Sequence, residues 1–344
     1  MGGSAALAGA AVLLLVCRAP MTAGRRRLLP HALLLSMILV WGGSYVAVKS
    51  THDELKSVFG GVLAALALLV VRFWIAVACL LPFLLMRGGA GRALRDCARA
   101  GCITGTALAS GYLLQTVGMG DTSASTAGLI AGLIPLLVAL GGWLFFGARP
   151  GRPAMIGFVL GFAGMLVLAW PQGGANDDDR LRGVLLQLGS STTYAAHILL
   201  LSKFGRTADP LAFSTWQLLV VAAFSSLGLL LALLFGEAGD HFVQTLLSHC
   251  EPRIVELLYL GVLATAVGIG VQCVVQPRIP PTQVALLFAT QPLFAALAGW
   301  AFRGDHLRTL QYGGGALIVV GIVVAAFDRA RSAPESRDSA LQKN

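Results

Sequence analysis

Two ionisable side chains stand inside apolar stretches where such groups are rare. Arg72 lies in Leu68-Leu69-Val70-Val71-Arg72-Phe73-Trp74, and His197 in Tyr194-Ala195-Ala196-His197-Ile198-Leu199. A charge placed in hydrocarbon is costly and is normally retained where it has work to do. Arg72 could hold the anionic group of a substrate, or bridge helices through hydroxyls and carbonyls, with a stem long enough to snorkel. His197 could carry a proton near neutral pH, or sit as a hydrogen-bonded core histidine. Neutral polar residues recur in the same kind of setting: Ser44, Tyr45, Tyr112, Gln115, Tyr194, Gln217, Gln272 and Gln291. In hydrocarbon each needs a partner on another helix, a water or a solute. Trp41 offers a ring face for a cation or an aromatic, or else packs between helices. The candidate substrate-binding set is Trp41, Ser44, Tyr45, Arg72, Tyr112, Tyr194, His197, Gln272 and Gln291.

What is missing narrows the chemistry. The 16 acidic residues all fall in loops, in the tail or within about a turn of an apolar stretch, Asp121 and Glu256 coming nearest to an exception. A carboxylate-centred proton or sodium site therefore has no owner. The six cysteines show no C-x-x-C spacing and lie in or beside apolar runs, where cysteine packs as a small hydrophobe, so no disulfide or metal site is expected. Gly268-Ile269-Gly270 lacks the third glycine and the strand–helix setting of a nucleotide fingerprint, and there is no P-loop, zinc-protease motif or nucleophile elbow. No cofactor is expected, and the chain does not read as an enzyme.

The elements that must position these residues are membrane spans. Of 344 residues 56% are hydrophobic and 12% charged, with a mean hydropathy of +0.78. Apolar runs of about 18 residues or more recur, the length that crosses a bilayer. The spans read as 31–50, 61–86, 97–119, 122–146 and 153–170, then 181–203, 210–235, 253–275, 281–302 and 309–327. Residues 1–30 form an N-terminal extension, with Met21 as an alternative start. Residues 171–180 form a polar linker and 328–344 a charged tail expected to be disordered. The net charge of +9 does not point to nucleic acid, because the basic residues occupy short turns. They also sort by side: 16 Lys and Arg fall on the face that holds both termini and 7 on the other. That asymmetry places both termini in the cytoplasm.

A repeat organises the whole. Shifting residues 122–168 by 157 positions lays Pro135 on Pro292, Gly142-Trp143 on Gly299-Trp300, and Gly147, Gly157 and Gly164 on Gly304, Gly314 and Gly321. Such self-similarity has to be weighed before any other feature. Each copy contains five spans, an odd number, so the two copies enter the membrane from opposite sides. The fold class is therefore all-α integral membrane, with ten helices as two inverted five-helix repeats, 31–170 and 181–327. Inverted repeats supply two related conformations, one open to each side. Pro135 and Pro292 should kink matching helices, and Pro292 leaves the Phe288 carbonyl without its helical partner.

Several of these residues resemble a known family. Trp41-Gly42-Gly43-Ser44-Tyr45 is similar to its aromatic-Gly-small opening, Arg72-Phe73 to its Arg-Phe signature, and the paired Pro…Gly-Trp…Gly helices to the close of its repeat unit. Together they resemble the EamA family of the drug/metabolite transporter superfamily, over about residues 30–327. The chain departs from it at Gly147-Ala148 and Gly304-Asp305, where that family often has Gly-Glu, and at Ser190-Ser191-Thr192, where a tryptophan is expected. The resemblance implies a ten-helix secondary carrier exporting a small metabolite, amino acid or toxic compound across a bacterial inner membrane. The alternative from another class is a membrane-embedded lipid-handling protein or enzyme of the same fold. Expected partners are a small-molecule substrate, the lipid bilayer and, as an open expectation, a second copy of the chain in a homodimer.

Overall fold

The structure is a computed structural model that describes residues 23–86, 88–147, 151–169, 177–235, 242–279, 284, 287–304 and 309–331. Every regular element among them is helical. The first half holds α1 (Ala23–Phe59), α2 (Gly61–Leu85), α3 (Ala90–Met119), α4 (Ala124–Ala131), α5 (Ile134–Phe146) and α6 (Arg152–Ala169). The second holds α7 (Asp177–Phe204), α8 (Pro210–Phe235), α9 (Phe242–Cys250), α10 (Ile254–Leu258), a π-helical stretch (Tyr259–Val267), α11 (Gly268–Val275), α12 (Gln291–Arg303) and α13 (Thr309–Arg331). The alternative start at Met21, residues 171–176 of the linker and the tail beyond Arg331 lie outside the described residues.

Among the described residues six segments are long and apolar enough to cross a membrane: Leu29–Phe59, Gly61–Leu85, Ala124–Phe145, Leu181–Phe204, Pro210–Phe235 and Phe242–Arg278. Two shorter apolar helices run over Met155–Val167 and Tyr312–Val324. The outer surface carries bare hydrophobic side chains, Phe145, Leu234, Phe235 and Phe302 among them. That exposure suits lipid rather than water, and this is a membrane protein. Helix ends follow local chemistry. Ser123 accepts from the Thr126 amide at the start of α4, and Asp209 from the Ala212 amide at the start of α8. Gly147 and Gly304, the repeat-related pair, end α5 and α12 in the left-handed conformation, φ 71° and 62°.

The elements are longer or more broken than the expected spans. The first apolar stretch was expected to end at Ser50, yet α1 continues as one helix to Phe59. The proline helices are interrupted, not merely kinked. Turns of i→i+3 type at Gly132-Leu133 and at Ala289-Thr290 separate α4 from α5 and precede α12, and the two breaks are related by the 157-residue shift. The stretch expected as a single span over 253–275 changes from 3₁₀ to α to π and back to α.

Several helix pairings recur when the halves are exchanged. α3 lies on α7 as α11 and the π stretch lie on α1, and α3 meets α8 as the π stretch meets α2. α5 packs on α7 as α12 packs on α1, while α2 meets α8 and α6 meets α13. The last pair shows the exchange at atomic scale. A Cβ built on Gly164 would lie 2.5 Å from the Gly314 carbonyl oxygen, and one on Gly321 2.5 Å from that of Gly157. Backbones this close require glycine on both sides. Gly164→Val is therefore expected to force α6 and α13 apart, costing about 1–3 kcal/mol as overpacking does. A lower melting temperature in detergent checks this.

Candidate functional site

Between the halves lies a cavity of about 70 Å³, room for roughly half a dozen waters by the volume one water requires. α1 contributes Trp41, Ser44 and Tyr45, α2 contributes Arg72, α3 Tyr112 and Gln115, and α7 Tyr194 and His197; Gln272 of α11, Phe288 and Gln291 of α12 complete the polar and aromatic wall. All nine candidates taken from sequence thus meet at one place. Pro135 and Pro292 stand just outside it, each in the first turn of a half-helix whose leading residue, Ile134 or Gln291, lines the cavity.

Arg72 is 2% exposed. Its Nε donates to Thr265 Oγ1 at 2.7 Å and its Nη2 makes a long contact of 3.4 Å with the Tyr112 hydroxyl. The guanidinium carbon lies 4.6 Å from the Tyr112 ring centre and 5.6 Å from that of Phe73. Hydroxyl dipoles and π faces attract a cation, but no ion pair joins Arg72 to a carboxylate among the described residues. Tyr112 is fixed edge-on between Phe73 and Tyr194, with ring centres 4.9 and 5.5 Å away. The Tyr194 hydroxyl in turn donates to Gln115 Oε1 at 3.0 Å.

The π stretch is what aims the second half at this site. Thr265 reaches five residues back to donate to the Leu260 carbonyl at 2.7 Å, leaving its oxygen to accept from Arg72. The Ala264 carbonyl accepts from Trp41 Nε1, also at 2.7 Å. Trp41 stacks on Phe288 with ring centres 5.9 Å apart. Its indole lies so close to α11 that a Cβ on Gly268 would be 2.8 Å from Nε1. Wide helical turns of this kind recur at functional sites because they release carbonyls and re-aim side chains.

His197 Nε2 is 2.6 Å from Gln217 Oε1, and the Gln217 amide donates to the Phe213 carbonyl and Cys273 sulfur, both at 3.3 Å. With the amide oriented that way, Nε2 carries the imidazole proton and Nδ1 is the acceptor. Gln272 donates to Gln276 at 2.8 Å, and Gln276 to Ile198 and Ser202. Ser44 donates back to the Trp41 carbonyl of its own helix.

The two ends of the cavity differ. At one end residues 49–56 of α1 gather ion pairs from three directions. Asp53 meets Lys49 and Arg303 of α12, and Glu54 meets Arg253, which also holds Glu256. Lys56 meets Asp121, which Arg182 of α7 approaches at 3.5 Å. Ser50 accepts from Arg303 at 2.9 Å. The acidic residues nearest the spans, Asp121 and Glu256, are thus spent here, far along the chain from Arg72. Towards the other end a cleft of about 400 Å³ shares Ile134, Ile198 and Phe288 with the cavity and runs past Pro135, Val138 and Leu199 to Lys203 and Arg206.

Thr265, the Ala264 carbonyl and the ring of Phe288 were not foreseen. Thr265 is one small polar residue in an apolar run, and nothing in residue spacing announces a π register. A phenylalanine beside a proline reads as packing.

Known proteins resemble the chain along most of its length. A family model described as the EamA-like transporter family matches residues 28–170 and again 181–327. An uncharacterized transporter of Archaeoglobus fulgidus is 26% identical over 304 residues, 88% of each chain. A probable amino-acid metabolite efflux pump of Salmonella typhimurium (strain LT2) is 27% identical, over 58% of this chain and 69% of its own. The threonine/homoserine exporter RhtA of Escherichia coli (strain K12) is 28% identical, over 56% of this chain and 57% of its own. One crystal structure superposes with a TM-score of 0.60 at 19% identity, covering 88% of this chain and 99% of the other; it supports the fold alone. With its model matched twice across nearly all of the apolar sequence, the chain belongs to the EamA-like transporter family.

Proposed function

We propose that this protein is a secondary transporter that exports a small metabolite, amino acid or toxic compound across a bacterial inner membrane by alternating access. In this reading ten spans form two inverted five-helix repeats, with both termini in the cytoplasm. One observation carries the reading: a polar, aromatic cavity sits between the two family-matched halves, with ion pairs gathered beyond one end and a cleft adjoining it at the other. The end that holds Lys203 and Arg206 is the basic, cytoplasmic one by the distribution of Lys and Arg. The structure then corresponds to a state approached from inside. The names of the Salmonella and Escherichia relatives support the outward direction.

The broken helices suit this work. Interrupted spans at a repeat interface free backbone groups for a solute and let each half pivot. No acidic residue lines the cavity among the described residues, so in this reading any proton coupling falls to His197, the lining imidazole bonded to Gln217. His197→Gln is expected to flatten the pH dependence of transport while leaving counterflow at fixed pH active. An unchanged pH profile in proteoliposomes would remove His197 from coupling. The experiment for the function itself is counterflow: a preloaded unlabelled solute should drive transient uptake of the labelled one through the folded protein.

A further inference from the structure

We propose that the cavity selects small organic monocarboxylates with an apolar or aromatic body, and discriminates against amino acids and cations built on the same body. This rests on the carrier reading above and names the substrate class of that site.

The inference starts from an imbalance. The cavity holds one permanently charged group, the Arg72 guanidinium, and no Asp or Glu among its described lining residues. The protein supplies Arg72 with two hydroxyls and two ring faces, which attract the cation but leave its charge uncompensated. A buried charge without a counter-charge is unfavourable unless a guest provides one. A carboxylate fits the planar fork of guanidinium, which binds that group through parallel N–H donors.

The count of charges sets the rest. A single guanidinium matches one negative charge, whereas a phosphate monoester brings about −1.5 to −2. An ammonium on the carbon next to the carboxylate would sit close to Arg72 with no acidic side chain to face. A cationic guest would meet Arg72 as a like charge. The walls accept an apolar body: Trp41 stacked on Phe288 forms one side and the Tyr112–Tyr194 pair another. The amide of Gln291, 7% exposed and lining the cavity, makes no hydrogen bond to a described side chain and is free to meet a carboxylate oxygen. The approach has the same character. The cleft is walled by apolar side chains such as Val138, Leu199 and Val284, and carries Lys203 and Arg206. An anion is drawn by those two cations, and its body passes apolar walls to Arg72.

Three probes with one phenyl body separate the charges: 3-phenylpropionate, phenylalanine and phenethylamine. Equilibrium binding to the purified full chain, read by competition and by thermal stabilisation, should rank 3-phenylpropionate at least tenfold above phenylalanine, with phenethylamine not bound. Arg72→Gln should lose the preference for the anion, and Arg72→Lys should keep part of it. Should Arg72→Gln fail to fold, the ranking on the unaltered protein decides alone. Phenylalanine binding as well as or better than 3-phenylpropionate would overturn the proposal, as would chloride competing while carboxylates do not. Counterflow separates the two readings. Exchange of phenylalanine without binding of 3-phenylpropionate would sink the anion class and leave the carrier. Binding of 3-phenylpropionate by Arg72 with no exchange of any probe would keep the anion site and sink the carrier.

Discussion

Replacing Arg72 by glutamine is expected to abolish exchange of the transported solute while the protein remains folded. The guanidinium is buried, donates to Thr265 and lies on the Tyr112 ring, so it is held ready before any solute arrives. Removing one member of a buried charge pair costs about 2–5 kcal/mol, or roughly 30- to 5,000-fold in affinity. Glutamine can still bond Thr265 and fill part of the space, which favours folding over transport in the comparison. Thr265→Val tests the positioning. It keeps the charge and removes the oxygen that fixes Nε, so transport should fall about tenfold, the loss of one charge-assisted bond of about 1.5 kcal/mol. Initial rates in proteoliposomes, with size-exclusion profiles as the folding control, check both variants. Full activity in Arg72→Gln would leave the guanidinium a helix-bridging group and nothing more.

Tying Ser50 to Arg303 should stop transport outright. In the structure the C-terminal part of α1 is held to the end of α12 by the Arg303 bonds to Ser50 and Asp53, and to the start of α10 by Arg253 on Glu54. Alternating access requires these contacts to break when the cavity opens to the other side. With native cysteines replaced, Ser50→Cys with Arg303→Cys and a short cleavable bifunctional thiol reagent should give complete inhibition. Reduction should restore the rate. Partly exposed ion pairs are individually weak, commonly about 0–1 kcal/mol, so breaking one by mutation is expected to shift the balance of states and not the fold. Transport that persists after complete cross-linking would show that this end never opens.

Much of the site was legible in the sequence, and for a physical reason. In an apolar chain the polar exceptions are few, and each must find a partner away from lipid, so Trp41, Ser44, Tyr45, Arg72, Tyr112, Tyr194, His197, Gln272 and Gln291 had few places to converge. The structure brings all nine to one cavity wall. The repeat was legible because Gly157, Gly164, Gly314 and Gly321 meet at one close backbone crossing, where a side chain on Gly164 or Gly321 would collide. What could not be read was backbone register. The π turns that present Thr265 and the Ala264 carbonyl lie against α1 and α2, and no residue pattern within 259–267 marks them. The depth of the breaks before Ile134 and Gln291 was hidden likewise, since a proline announces a disturbed helix without saying whether it bends or stops. Nor does spacing reveal that residues 49–56, read as the end of a span and a loop, continue α1 and gather the ion pairs.

The most direct test is counterflow in proteoliposomes preloaded with unlabelled organic acids, amino acids or organic cations in turn, each challenged with its labelled form. Transient accumulation of one labelled class, absent in empty liposomes and in Arg72→Gln, is the expected result. Folded protein that drives no accumulation of any class would contradict a carrier function for this cavity.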